Sequence, residues 1–441
     1  MAMTIDVSGV QRLVLRGLRL SCVRHYFLTV ARPNLARDFL SSLADRIPSA
    51  NEKCTERSAA VALTYTGLQA LRLRDEYLAA FRQLAPAFVE GAAARAAGHL
   101  GDTGGDESPG WEMPFRSPGT HVVLSVHADS SADLDKALQA LIGGPLTSGP
   151  PVLNGLPGGL PGGLSGWNKF VEGRHPESHP SRQEPFGFRD GISQPTVKGV
   201  HLNWARRNPP SMHVEPGEML LGYPNEDRSN RWSDSAPEAV RAFVTNGSFM
   251  ALRKMSQDRK AFGGLESAEL QAKMCGRWPN GALVLPGQNV QPALVPDQAL
   301  NKFDFTHDAD GLGCPFASHI RRLNPRSDPV ISARKRVLMR RGVPYDDGRD
   351  IGLLGLFVCA DLERQFEFLL NEWGREAPML RGTKNAPDPL IGARGQASVF
   401  PLPGRPAIPS VPLLKSFVTT RGTLYGFYPS LTALANLTSS I

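Results

Sequence analysis

Three short segments of this chain carry side chains whose types and spacing suit chemistry. The first is EPFGFRDGISQP at 184–195, where Asp190 lies between Arg189 and Gly191. An aspartate before a glycine is first of all a turn signal. The second is CPFASHIRRLNPR at 314–326, which reads as a strand with His319 in its middle. The two-residue period then puts Ala317 and Arg321 on the face of His319, and a residue as small as Ala317 leaves room there for something large and flat. The third is a basic run. Between His319 and Arg341 stand Arg321, Arg322, Arg326, Arg334, Lys335, Arg336 and Arg340, with only Asp328 opposing them. Such a density answers a ligand that carries carboxylates or phosphates. A solvated basic face is the plainer account, and charge alone favours it.

Other matches to chemical motifs fall away. His175 and His179 are four apart, but Pro176 and Pro180 keep HPESHP from being a metal-binding helix, so both read as solvent-exposed loop histidines. Ser332 and Lys335 have a serine-hydrolase spacing without its companion motifs. Asp308 and Asp310 begin like a calcium loop and lack the remaining ligands. No Walker loop or dinucleotide-binding glycine pattern follows a strand.

The elements that must position these residues alternate. QRLVLRGL and RHYFLTVA read as strands, PNLARDFLSSLADRI as a helix with Pro33 near its start, and AAVALTYTGLQAL as strand and turn. An Ala-rich helix over EYLAAFRQLAPAFVEGAAARAAGHL follows, then the strand HVVLSVHA and a Ser-capped helix, SADLDKALQALIGG. This order predicts an α+β layer of the ferredoxin-like kind. The Leu-Pro-Gly-Gly repeats within 143–166 predict a surface loop or lid. A domain boundary is expected between about 165 and 200, giving an N-terminal unit over 1–180 and a C-terminal unit over 181–441. In the second, GEMLLGY, GSFMALRKM, CPFASHIRRLN, KRVLMRRG and LLGLFVCA read as strands, and SAELQAKMCGRW and DLERQFEFLLNEW as helices. SFVTTRG and LYGFYPS read as a closing hairpin. Two units of similar plan point to an internal duplication, though no sequence repeat is visible.

Composition narrows the class. A length of 441 residues exceeds what one core usually fills. The net charge of +7 is modest for this length and suits an anionic ligand better than nucleic acid. A nucleic-acid module would interleave aromatics with the arginines of 319–341, and that stretch has none. The cysteines (Cys22, Cys54, Cys275, Cys314 and Cys359) are scattered without a C-x-x-C pair, which points to a reducing compartment. Arginines interrupt every apolar run near the N-terminus, so neither a signal peptide nor a membrane span is read there, and a cytoplasmic protein is expected.

Taken in order, GFRDGISQP, GCPFASHIRRLNPR and RVLMRRGVPY resemble the dye-decolourising (DyP-type) haem peroxidases. Gly187, Asp190 and Gly191 stand as that family's G-x-x-D-G signature. LTYTGLQALRL, GEMLLGYPNE, KMCGRWPNG, ADLERQFEF and APDPLIG extend the resemblance from about residue 10 to the C-terminus. It implies an α+β fold of two ferredoxin-like domains of the dimeric α+β barrel type, with antiparallel sheets. It also implies one haem b per chain, between sheet and helices of the C-terminal domain. His319 matches the axial iron ligand, Asp190 and Arg340 the catalytic aspartate and arginine, and Arg326 a propionate-binding arginine. Asp388 is the candidate acceptor for the second His319 nitrogen, and Leu353 and Gly355 align with a distal Leu-x-Phe.

The implied activity is reduction of hydrogen peroxide. Asp190 and Arg340 would assist heterolysis of the O–O bond to a ferryl intermediate, which then oxidises organic donors such as dyes and phenols in one-electron steps. A homo-oligomer is an open possibility, and no nucleic-acid or membrane partner is expected. A haem carrier with the same fold is the alternative, although a carrier needs neither Asp190 nor Arg340. Two positions depart from the family pattern. Gly342 stands where some relatives carry a polar Asn beside the catalytic pair, and Gly355 replaces the aromatic, which predicts either an open distal pocket or, on an equal footing, the close approach of another backbone. Tyr345 and Trp278 are candidate electron relays, with core packing as the plainer account of both.

Overall fold

The computed structural model describes residues 5–52, 56–142, 161–176, 182–200, 208–326 without 294 and 298, 333–375, 386–392, 398–404, 410–413 and 416–440. Most of the expected 143–166 loop, His179, Ser332 and Asp328 lie outside these residues.

Alternating apolar segments build one antiparallel sheet. Its strands are β1 (Cys22–Val30), β2 (Arg57–Leu63), β3 (Val122–Ala128), β4 (Leu164–Ser165), β5 (Phe170–Arg174), β6 (Ser248–Gln257), β7 (Met339–Asp346), β8 (Ile351–Cys359) and β9 (Val418–Tyr428). Neighbours run β4-β1-β3-β2-β9-β6-β8-β7, and β5 also pairs with β1. The N-terminal and C-terminal halves of the sheet meet where Phe427 of β9 pairs with Leu63 of β2. The sheet also folds back on itself, since a side chain at Gly173 of β5 would run into Val343 and Pro344 of β7.

Helices cover the sheet. Helix α1 (Pro33–Ser42) starts at a proline, and α2 (Ser131–Ile142) is capped by Ser130, whose hydroxyl accepts from the Asp133 N–H. Helix α3 (Ala268–Cys275) runs from a Ser267 cap to Gly276, whose φ of 91° lets the chain turn out of the helix. Phe81, Phe88, Trp232, Phe249 and Phe427 pack edge-on or tilted at ring separations between 5.2 and 6.4 Å, and this aromatic knot covers the junction of the two halves.

Several sequence expectations fail, each for a local reason. QRLVLRGL forms a short helix, Arg12–Leu15, because all four of its residues are buried and no alternation survives. GEMLLGY becomes a 3-10 turn at Pro216–Glu218 followed by loop, with Glu218 buried against Arg364. The Ala-rich stretch breaks at Pro86 and Gly91 into separate helical pieces. The expected closing hairpin is a single strand, β9, because Gly422 forms a bulge within it and does not turn. His175 is buried, with its N–H on the Ser21 carbonyl, and is not a solvent-exposed loop histidine.

Between the two halves of the sheet lies a buried polar layer. Register places His25 opposite Ser125, and Ser58 opposite His127, on one face of β1–β3–β2. His25 Nδ1 lies 2.8 Å from Ser125 Oγ. Burial pushes the two imidazoles down to about 4 for His25 and about 3 for His127, with His25 and Arg341 adding to the effect on His127. Both are therefore neutral in the fold. Below their ordinary value of 6.5 the unfolded chain takes up protons that the folded chain refuses. Their contribution to stability is full above that pH and is lost as pH falls toward 4, at up to ~1.4 kcal/mol per pH unit for each histidine. The melting temperature should thus drop steeply between pH 7 and pH 5, and less steeply in His127→Phe. Parallel curves for the two proteins would contradict this assignment.

Candidate active site

Strand β7 sets the site. Its two-residue period puts Arg340 and Gly342 on one face and Arg341, Val343 and Tyr345 on the other. In the antiparallel ladder with β8, Arg340 lies opposite Phe357 and Gly342 opposite Gly355. These residues and Leu353 line a cavity of about 310 Å³ that also receives Asp190, His319 and Arg326. Most of its wall is apolar, including Leu356, Phe366, Leu369 and Ile391. Arg340 is enclosed by protein yet keeps over a third of its surface uncovered, because that surface faces the cavity. Burial lowers its pKa, and Asp190 opposes the shift. Its Nη2 donates to the Ser193 carbonyl at 2.9 Å.

Asp190 sits at the end of a tight turn organised by Glu184. The Glu184 carboxylate accepts from the N–H groups of Phe186 and Phe188, each at 3.0 Å, and from Gln257 Nε2 at 2.7 Å. The turn ends at Gly191, whose φ is 74°. One Asp190 oxygen occupies the space beside Gly342, where a Cβ would come within 2.6 Å of Oδ2. The glycine first noted as a missing helper is therefore what lets the carboxylate approach β7.

His319 departs from its sequence reading. It opens a short helix, α4 (His319–Leu323), and is not mid-strand. Pro315 before it and Asn324 after it bound a segment too short for its period to distinguish helix from strand. Ala317 is fully buried in a separate apolar cluster and does not line the cavity that His319 faces. The expected brace is present: His319 Nδ1 lies 2.9 Å from Asp388 Oδ2. Asp388 Oδ1 accepts from the N–H groups of Leu390 at 2.8 Å and Ile391 at 3.0 Å. Burial alone would raise the Asp388 carboxyl, but the His319 ring and these amides hold it below its usual range. With Nδ1 engaged, Nε2 is the imidazole nitrogen left for the cavity.

Arg326 is buried with a φ of 53°. It donates to the carbonyls of Asn301 and Phe303 at 3.0 Å and to Asn301 Oδ1 at 2.6 Å. Its guanidinium stacks 3.8 Å from the centre of the Phe303 ring. Sequence reasoning missed its neighbour Arg277, which lines the same cavity, lies over the same ring and donates to the carbonyls of Gly281 and Leu300. Burial, with repulsion from Arg277 and Arg340, pushes Arg326 down to about 9, and burial, with repulsion from Arg340 and Arg189, pushes Arg277 down to about 10. Both remain cationic at neutral pH, and among the described residues their hydrogen-bond acceptors are neutral oxygens.

This donor set fits haem. Among the described residues no three His, Cys, Asp or Glu side chains gather as a metal cage, so a metal on His319 needs equatorial donors from a non-protein ligand. An apolar slot edged by buried arginines suits a flat macrocycle with carboxylates. Neither relay candidate lines the cavity. Tyr345 is on the opposite face of β7, under the Lys254 ammonium, and Trp278 is buried in a small satellite cluster.

Residues 21–148 match the DyP dimeric alpha+beta barrel domain. A dye-decolorizing peroxidase from Exidia glandulosa is 28% identical over 98% of this chain and 87% of its own length. Dye-decolorizing peroxidase AauDyP1 from Auricularia auricula-judae is 30% identical over 58% of this chain and 56% of its own. Among solved structures, an ancestral D-type dye decolorizing peroxidase superimposes with a TM-score of 0.77 at 26% identity, covering 98% of both chains. A decolorizing peroxidase from Auricularia auricula-judae gives 0.79 at 23% identity, covering 99% of this chain and 100% of that one. Fold and relatives together define the class as a peroxidase-type oxidoreductase. Over nearly its whole length the chain is similar to dye-decolourising, or DyP-type, peroxidases, and residues 21–148 carry the match to the DyP barrel domain.

The expected open pocket at Gly355 is corrected by the structure. The space a Cβ would take there is filled by the Phe357 ring, 2.7 Å away, with Met255 Cε at 3.2 Å. An aromatic thus covers this wall from two residues further along the same face. Gly355→Ala should destabilise the protein by about 1 kcal/mol or more through overpacking, seen as a lower urea midpoint. An unchanged midpoint would show that Phe357 swings aside freely.

Proposed function

We propose that the chain reduces hydrogen peroxide and oxidises organic donors such as dyes and phenols, using one haem b held through His319. The observation that carries this reading is a single cavity lined by Asp190, Arg340 and the Asp388-braced His319. His319 would present Nε2 to the iron while Asp388 holds Nδ1–H, which fixes the ring and enriches its donor nitrogen. Arg326, with Arg277 beside it, would take the haem carboxylates. Leu353, Gly355 and Phe357 would form the apolar wall. Bound there, haem supplies a redox-active iron able to accept an oxygen atom from peroxide and to draw electrons singly from donors.

The protein's own part is proton handling. Asp190 takes the proton from one peroxide oxygen and returns it to the other, which leaves as water with the O–O electron pair. Arg340 donates hydrogen bonds to the charge that develops on that departing oxygen, and a guanidinium serves there as donor without giving up its proton. Every residue named in the cavity wall lies within the proposed C-terminal unit, 181–441. No described helix is long and apolar enough to cross a membrane. Four described cysteines are buried free thiols, which supports a cytoplasmic setting.

Two substitutions test the assignment. His319→Ala should abolish the Soret band or shift it to that of a loosely held form, and an unchanged spectrum and spin state would remove His319 as the ligand. Asp190→Asn should keep the resting spectrum and slow the reaction with peroxide about a hundredfold or more, the range for losing a general acid–base group. Stopped-flow rates equal to wild type would refute its role.

A further inference from the structure

The edge of β7 is occupied by a side chain. Gln194 Nε2 donates to the Arg340 carbonyl and Gln194 Oε1 accepts from the Arg340 N–H, both at 2.9 Å. This pair of bonds is what a neighbouring strand would make with Arg340. Gln194 thereby pins the segment after Asp190 to the residue whose guanidinium serves the same cavity, and the Arg340 Nη2 bond to Ser193 adds a third tie.

The contact does not stop there. Asn208 Nδ2 donates to the Gln194 carbonyl at 2.7 Å, and also to Thr196 Oγ1 at 2.8 Å. Asn208 Oδ1 accepts from Asn301 Nδ2 at 2.8 Å, and Asn301 Oδ1 accepts from Arg326 Nη2 at 2.6 Å. From Arg326 to Gln194 each group donates to the next, so the bonds polarise one another in one direction. None of Gln194, Asn208 and Asn301 lines the cavity. Whatever they do for the chemistry passes through Asp190, Arg340 and Arg326.

We infer that Gln194, Asn208 and Asn301 are positioning residues that hold Asp190 in register with Arg340 and couple that register to Arg326. Ligand carboxylates engaging Arg326 would then steady, through this chain, the loop that handles the peroxide proton. The inference rests on the function proposed above for Asp190, Arg340 and Arg326. A coupling of this kind requires non-additivity between its two ends, and that is measurable.

The test uses the full chain with Gln194→Met and Asn208→Leu, which keep side-chain volume and remove the bonds. Loaded with haem, both variants should hold wild-type haem content. Both should react with peroxide about ten- to a hundredfold more slowly, as when an orienting partner is lost. The pH profile of that step should shift as well, which a merely structural role would not cause. In the haem-free chain, amide exchange over 189–195 should be faster in Asn208→Leu and in Arg326→Leu, and no faster in the double variant than in the faster single one. Wild-type exchange and pH profile in Asn208→Leu, or additive effects in the double variant, would overturn the inference. Should Asn208→Leu not fold, Asn208→Asp replaces it, since it keeps the oxygens and removes the N–H donors. A wild-type peroxide rate in Asp190→Asn would instead sink the proposed role of Asp190, and the exchange data would still decide whether the chain of amides orders the loop.

Discussion

Strand β7 has two faces, and both are committed. Every side chain that turns toward the cavity forces its neighbours toward the interior between the two halves of the sheet. Arg340 and Gly342 can serve the cavity only because Arg341 and Val343 pack inward, near His127 and against Gly173. A one-residue slip would exchange the two sets, burying the cavity arginine and presenting the packing residues to the ligand. The register with β8, fixed by Leu356 opposite Arg341 and Leu354 opposite Val343, is thus a condition of the chemistry as well as of stability.

That constraint explains the glycines on this wall. Gly342 and Gly355 face each other across the β7–β8 ladder. The first yields its space to Asp190 Oδ2, and the second to the Phe357 ring. In a strand, glycine forfeits packing and costs backbone entropy, so two opposite one another mark places where other groups must come close. The wall owes its shape to residues distant in sequence, which fill the positions these strands leave bare.

What was legible in the sequence follows from the range of the interactions. Strands β1, β3, β6 and β8 and helices α1, α2 and α3 declare themselves through burial period and caps, which are local signals. Asp190, Arg340, His319, Arg326 and Asp388 were found through a family resemblance, and the cavity gathers four of them while Asp388 lies behind His319. The helical setting of His319 was not legible, because α4 spans five residues and its ends are set by tertiary packing. The partner of Gly342 was equally hidden, since Asp190 approaches from a turn about 150 residues away. Arg277 escapes notice because SAELQAKMCGRW reads as the end of a helix, in which Trp278 is the residue that draws attention. Its role is visible only once Phe303 is seen beneath both it and Arg326.

Buried charge carries the argument one step further. A guanidinium removed from water costs several kcal/mol unless an opposite charge or well-placed acceptors offset it. Arg253 has such a partner in Asp102, and Arg95 in Glu367. Arg277 and Arg326 have carbonyl oxygens and one side-chain amide instead, and they repel each other. Arg326 is further held in the left-handed region, a strain of order 1–3 kcal/mol for a residue with a side chain. Arg12, Arg37 and Arg322 are likewise buried against carbonyl or amide oxygens, but Arg277 and Arg326 line the cavity, and there such a cost keeps positive charge in reserve for a ligand. Asn301 makes that reserve specific. By accepting from Nη2 while its backbone carbonyl accepts from Nη1, it fixes the plane of the guanidinium and hence the direction from which a carboxylate can be met.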